Sequence, residues 1–118
     1  MRIVIGGCRD FCNYTLFCEH MDHVLAFIDD KNITILSGHC SGVDTMAEEY
    51  AKQHNLTLEI HPAQWQKFGR AAGPIRNREM VERADFVITF WDGQSKGTKS
   101  LIELAKKNRK SIKIFYIR

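Results

Sequence analysis

The chain has 118 residues, a formal net charge of +3 and 44% hydrophobic residues. That is enough apolar side chain for a core, and too much for a disordered tail. The length suits one domain over residues 1–118 and leaves little room for a second. No apolar run reaches the length needed to span a bilayer, and the N-terminus runs straight into strand-like sequence, so the expectation is a cytoplasmic protein with no membrane partner.

In chain order, Arg2–Ile5 reads as a strand and Gly6-Gly7 as the turn that ends it. Asn13 or Thr15 then caps a helix with apolar positions at Leu16, Met21, Val24, Leu25 and Ile28, ending around Asp29–Asn32. A second strand, Ile33–Ser37, leads through a glycine-rich loop into a helix from Val43 to His54. Ser41 and Asp44 stand there in capping-box spacing. Thr57–His61 alternates more than the others, as an edge strand does. His61–Gly73 reads as an irregular surface loop over the site. Pro74 suits the first turn of a helix running to Arg83. A fourth strand, Phe86–Phe90, is followed by a helix from about Thr98 to Asn108 and a last strand, Ile112–Ile117. Strict alternation of near-continuously apolar strands with helices predicts an α/β fold. The expected form is a Rossmann-like three-layer αβα sandwich with a five-stranded, mostly parallel sheet.

Ligands in such folds bind beyond the carboxyl ends of the strands. Three glycine-bearing segments follow strands: Gly6–Phe11, Ser37–Asp44 and Trp91–Thr98. The helix entering at Gly73–Asn77 can face the same edge. Glycines permit close backbone approach. Helix N-termini at Ser41–Asp44 and Gly97–Thr98 offer N–H groups to an anion. Arg9 and Arg76 add bidentate positive charge. The expected ligand-binding set is Gly7, Arg9, Gly38, Ser41, Gly42, Asp44, Arg76, Asn77, Trp91, Asp92, Gly93, Ser95, Gly97 and Thr98. Trp91 reads equally as core or as a wall for a planar base. Asp44 reads first as a cap and Asp92 as a turn former; both are also the candidate catalytic carboxylates. Glu48 shares a helix face with Asp44 and reads as solvated.

Neither a Walker A loop nor G-x-G-x-x-G occurs, so no cofactor is expected. Cys8, Cys12, Cys18 and Cys40 form no C-x-x-C pair and read as free, buried or half-buried thiols. Cys8, His39 and Cys40 lack metal-ligand spacing, and no metal is expected. The basic excess in Lys96, Lys99, Lys106, Lys107, Arg109 and Lys110 reads as a solvated helix face, with no aromatic residues interleaved for nucleic-acid stacking. Nucleic acid is therefore not the expected partner. Trp65 and Phe68 in the irregular loop suggest a lid, or a contact in a homodimer or higher homo-oligomer.

Taken together, Gly7-Cys8-Arg9, Gly38–Asp44, Gly73–Met80 and Asp92–Thr98 match, in order, G-x-R, G-x-x-x-G-V-D, G-x-x-R-N-x-x-M and D-G-x-S-x-G-T. In this the chain resembles the SLOG superfamily, which includes the LONELY GUY phosphoribohydrolases and the Rossmann domain of the DNA-processing protein DprA. It is most like the small YspA/YpsA-related branch. The resemblance implies a Rossmann-like fold and a small nucleotide-like ligand: a nucleoside monophosphate, ADP-ribose or an NAD-related molecule. It implies a sensing or processing role, with N-glycosidic hydrolysis or association with single-stranded DNA as alternatives. The phosphoribohydrolases carry a glutamate three residues after their G-T pair. Here that position is Leu101, and the first acidic residue beyond Thr98 is Glu103, on another face of the helix.

Overall fold

A computed structural model describes residues 1–117. The strands are β1 (Arg2–Gly7), β2 (Thr34–Ser37), β3 (Thr57–Ile60), β4 (Phe86–Trp91) and β5 (Ser111–Tyr116). The helices are α1 (Tyr14–Leu25), α2 (Val43–Gln53), α3 (Trp65–Phe68), α4 (Ala72–Arg83) and α5 (Lys96–Lys107). The strands form one parallel sheet in the order β3-β2-β1-β4-β5. This is the expected Rossmann-like α/β arrangement, and β3 lies at an edge as its alternating pattern indicated.

Alternation along each strand sorts the core into two halves. Ile3, Ile5, Ile35, Ile88 and Phe90 pack with Phe17, Met21 and Val24 of α1 and with Val43, Met46, Ala47, Tyr50 and Ala51 of α2. Val4, Leu36 and Val87 pack on the opposite face with Met80 and Val81 of α4 and Leu101 and Ala105 of α5. Each large apolar side chain buried in this way contributes about 1.5–3 kcal/mol. The helices change face where the chain, after building outward from β1 to β3, returns to add β4 on the other side of β1. That change makes the β1/β4 junction the topological switch point, where a crevice opens at the strand ends.

Several local expectations need correction. Gly6 and Gly7 are not a turn. They continue β1 in register with Thr89 and Phe90, and the chain leaves the sheet only at Cys8. Asn13 is the cap of α1, its Oδ1 accepting from the Leu16 N–H at 3.1 Å, but the helix ends at Leu25 rather than near Asp29. The stretch His61–Gly73 is not simply irregular. It holds α3 and a 3-10 turn at Gly69–Ala71, and Gly73 already belongs to α4. Pro74 falls in the first turn of α4, where its missing N–H costs nothing. Ser95 rather than a residue near Thr98 opens α5, accepting from the Thr98 N–H at 3.4 Å. All four cysteines are free, and Cys12 is exposed rather than half-buried. No helix among the described residues is long and apolar enough to cross a membrane.

Candidate functional site

The crevice at the switch point is a cleft of about 510 Å³. That is within the usual range for small-molecule sites. Its walls come from the ends of β1 and β2, the start of α2, the stretch of α4 from Arg76 to Met80 and the entry to α5. Gly7, Arg9, Gly38, Asp44, Arg76, Asn77, Asp92, Ser95, Gly97 and Thr98 all line it. These residues are scattered over ninety positions of sequence, and the parallel sheet delivers them to one edge.

Arg76 organises the wall formed by α4. The residue is nine-tenths buried, with guanidinium Nη1 donating to the Gly38 carbonyl at 2.6 Å and Nε donating to Asn77 Oδ1 at 2.9 Å. Among the described residues Nη2 meets only the Cys40 sulfur, at 4.0 Å, which leaves it available to an oxyanion in the cleft. Arg9 approaches the same sulfur from the loop after β1, Nη2 to Sγ 3.9 Å, so two guanidiniums converge on one spot. Gly38 lies between Arg76 and Asp44, and a Cβ there would come within 2.7 Å of Arg76 Nη1 and 3.1 Å of Asp44 Oδ2. Only glycine lets both charged groups close over that backbone.

Asp44 is buried beneath this wall, accepting from the Cys40 N–H at 3.2 Å. Burial pushes its carboxyl up to about 6, against the opposing pull of the Cys40 N–H and the Arg76 charge. Asp92 is its opposite. It is exposed, and Oδ1 accepts from the Ser95 and Gln94 N–H groups, both at 2.8 Å. Those two bonds, Ser95 first, hold its carboxyl below the ordinary aspartate range. The cleft thus contains one carboxylate biased toward its protonated form and one firmly ionised. Burial also raises the Cys8 thiol, which lines the cleft beside them.

Ser41, Gly42, Trp91 and Gly93 do not line the cleft. The capping box expected from Ser41 and Asp44 does not form. Gly42 is the N-cap at φ +74°, Ser41 Oγ donates to the Arg9 carbonyl at 3.3 Å, and the Val43 N–H donates to the Cys8 carbonyl at 3.2 Å. The N-terminus of α2 is therefore spent on joining two loops, and it is α5, through Gly97 and Thr98, that turns its N-terminus to the cleft. Trp91 instead donates its indole N–H to the Ser95 carbonyl at 3.1 Å, with its ring beside Tyr116. Gly93, at φ +83°, serves the turn before α5.

Sequence reasoning missed Gly6, Cys8, Asp10, Cys40, Met80 and Leu101 as cleft residues. Met80 carried a signal, since it stands one helical turn beyond Arg76 on the same face. Leu101 stands three residues beyond Thr98 and is almost fully buried against the cleft. Glu103 is exposed outside it, 3.9 Å from Lys99. Glu48 is not solvated: it accepts from Ser37 Oγ at 2.8 Å and pairs with His39 Nδ1 at 3.0 Å. His39 takes a left-handed backbone, φ 62°.

A family model described as the YspA, cpYpsA-related SLOG family matches residues 1–68. That stretch includes the G-x-R and G-x-x-x-G-V-D segments and the whole of β1 to α3. A protein of Mycobacterium phage D29, described as "Gene 61 protein", is 35% identical over 112 residues, covering 90% of this chain and 89% of that protein.

Proposed function

This chain belongs to the YspA, cpYpsA-related SLOG family, and from that premise we propose that its cleft binds a nucleoside monophosphate, ADP-ribose or an NAD-related molecule, as a sensor or processing domain. Family membership points to nucleotide-related ligand binding or processing. The observation that carries the finer reading is the convergence of Arg9 and Arg76 on one point of a cleft that the N-terminus of α5 also faces. Two guanidiniums and a helix N-terminus suit a phosphate.

Thermal unfolding against nucleoside monophosphates, ADP-ribose, NAD and ribose 5-phosphate tests this reading. A ligand at a hundred times its dissociation constant adds about 2.7 kcal/mol of stability. The expected result is a clear upward shift with at least one nucleotide, abolished in Arg76→Ala and weakened in the exposed Arg9→Ala. No shift with any of them overturns the reading.

N-glycosidic hydrolysis is the second reading, favoured by the two carboxylates of opposite character. Asp44 carries a proton near pH 6 and suits an acid, while ionised Asp92 suits an oxocarbenium-like centre. Against it stands Leu101, which presents a hydrocarbon to the cleft where the phosphoribohydrolases present a glutamate. Release of free base from a nucleoside monophosphate, lost in both Asp44→Asn and Asp92→Asn, would establish hydrolysis. Binding without base release leaves the sensor reading in place.

A further inference from the structure

The nucleotide reading assigns groups to a phosphate but names nothing for the planar base. Neither tryptophan lines the cleft itself, and Trp91, the residue the sequence offered, is engaged with Ser95 and Tyr116. The chain's other tryptophan is Trp65, the first residue of α3, and it is 53% exposed. A half-exposed indole presents a planar apolar face on which a base can stack.

It stands close to Arg76. A Cβ built on Gly73 would lie 3.6 Å from Trp65 Cη2 and 4.0 Å from Arg76 Nη2. The tip of the indole and Nη2 of Arg76 therefore approach the same point, and their separation is no greater than the sum of those distances. Gly73, buried in the first turn of α4, carries no side chain to separate them, so the indole stands at the rim of the cleft beside Arg76. Lys67 and Arg70 are exposed on the same short segment as Trp65. We propose that Trp65 is the stacking wall for the base of the cleft's ligand, so that a nucleotide would lie with its phosphate toward Arg76 and Arg9 and its base against the indole. This assignment rests on the nucleotide reading. It makes Trp65 a specificity-determining residue, because an indole face rewards a planar base and offers nothing to a bare sugar phosphate.

The test compares AMP, ADP-ribose and NAD with ribose 5-phosphate, the base-free probe, by titration calorimetry and fluorescence. The chain has two tryptophans, so Trp91→Phe leaves Trp65 as the sole indole. Its emission is expected to be quenched by an adenine-bearing ligand and not by ribose 5-phosphate. Trp65→Ala, with its fold checked by circular dichroism, should weaken the adenine-bearing ligand about tenfold or more and leave ribose 5-phosphate binding unchanged. Trp65→Phe should retain most of the affinity. Equal binding of the adenine-bearing ligand by wild type and Trp65→Ala overturns the assignment while sparing the nucleotide reading. So does an equal loss for ribose 5-phosphate, or a concentration-dependent dimer abolished by Trp65→Ala with binding intact. A wild-type protein that binds none of the four overturns both.

Discussion

The loops after β2 and β4 look alike in sequence. Each carries glycines, an aspartate and a serine, and each opens a helix at the same edge of the sheet. The structure uses them in opposite ways. The β2 loop is pressed inward: Gly42 touches the loop after β1, and Asp44 is buried against Arg76 and Cys40. The β4 loop stands outward: Gly93 has open space around it, and Asp92 closes a solvent-exposed turn. One loop ties the scaffold together and charges the cleft from beneath, while the other presents a helix N-terminus to it. The same residue types therefore differ in what they cost and in how they answer to pH.

The glycine pair offers the largest contrast. Both Gly42 and Gly93 have positive φ, at +74° and +83°. Alanine at either is strained, at a cost of roughly 1–2 kcal/mol. At Gly42 the added methyl also strikes the Cys8 and Arg9 carbonyl oxygens, which are backbone and cannot swing away. Gly42→Ala is expected to lose about 3 kcal/mol or more, Gly93→Ala only the strain. Urea unfolding midpoints at constant slope measure both. Equal losses would mean that the β2 loop yields as readily as the β4 loop, and the comparison would break.

The buried carboxylate comes next. The folded state raises Asp44 from 3.8 to about 6, so the native protein holds this proton more tightly than the unfolded chain. Its contribution to stability is greatest in acid and is lost as pH rises from about 4 through about 6. The shift is about two pH units, worth about 3 kcal/mol. Wild type should therefore lose about 2 kcal/mol of that relative to Asp44→Asn between pH 4 and pH 7, whatever the offset between them at a single pH. Asparagine keeps an acceptor for the Cys40 N–H, so the difference isolates the charge. A flat difference would mean that Arg76 fully compensates the buried carboxylate.

How far this division could be read beforehand depends on the kind of interaction. The alternation of Ile3–Ile5, Leu36 and Phe86–Phe90 with helical stripes disclosed the sheet and its layers, because burial on both strand faces leaves a local imprint. Arg76, Asn77, Gly97 and Thr98 were legible through helix N-termini and glycine spacing. What stayed hidden depends on distant partners. Nothing near Gly6-Gly7 reveals that Thr89 and Phe90 will pair with them and extend β1. Nothing near Ser41 reveals that the Arg9 carbonyl will claim its hydroxyl. Glu48 looked solvated because its partners, Ser37 and His39, lie in the preceding strand and loop rather than one turn along its helix.

The smallest effect belongs to Asp92, and its sign is the useful part. The Ser95 and Gln94 N–H groups bind the ionised carboxylate and lower its pKa. A depressed aspartate stabilises the fold above its unfolded value of 3.8, and that stability is lost as pH falls through the folded value. Asp92→Ala should therefore be less stable than wild type at pH 7, with a deficit that shrinks on acidification below about pH 4. That is the reverse of the Asp44 trend. Asp92→Asn, which keeps one acceptor oxygen, should fall between alanine and wild type at pH 7 and converge on wild type in acid. Denaturant midpoints over a pH series resolve this even where each difference is small. A deficit that ignores pH would trace the contribution of Asp92 to the shape of its turn rather than to its charge. Asp92 would then hold the entry to α5 in place through the geometry of its turn, and its carboxylate would be ionised at neutral pH as any exposed aspartate is, with no added preference from the Ser95 and Gln94 N–H groups.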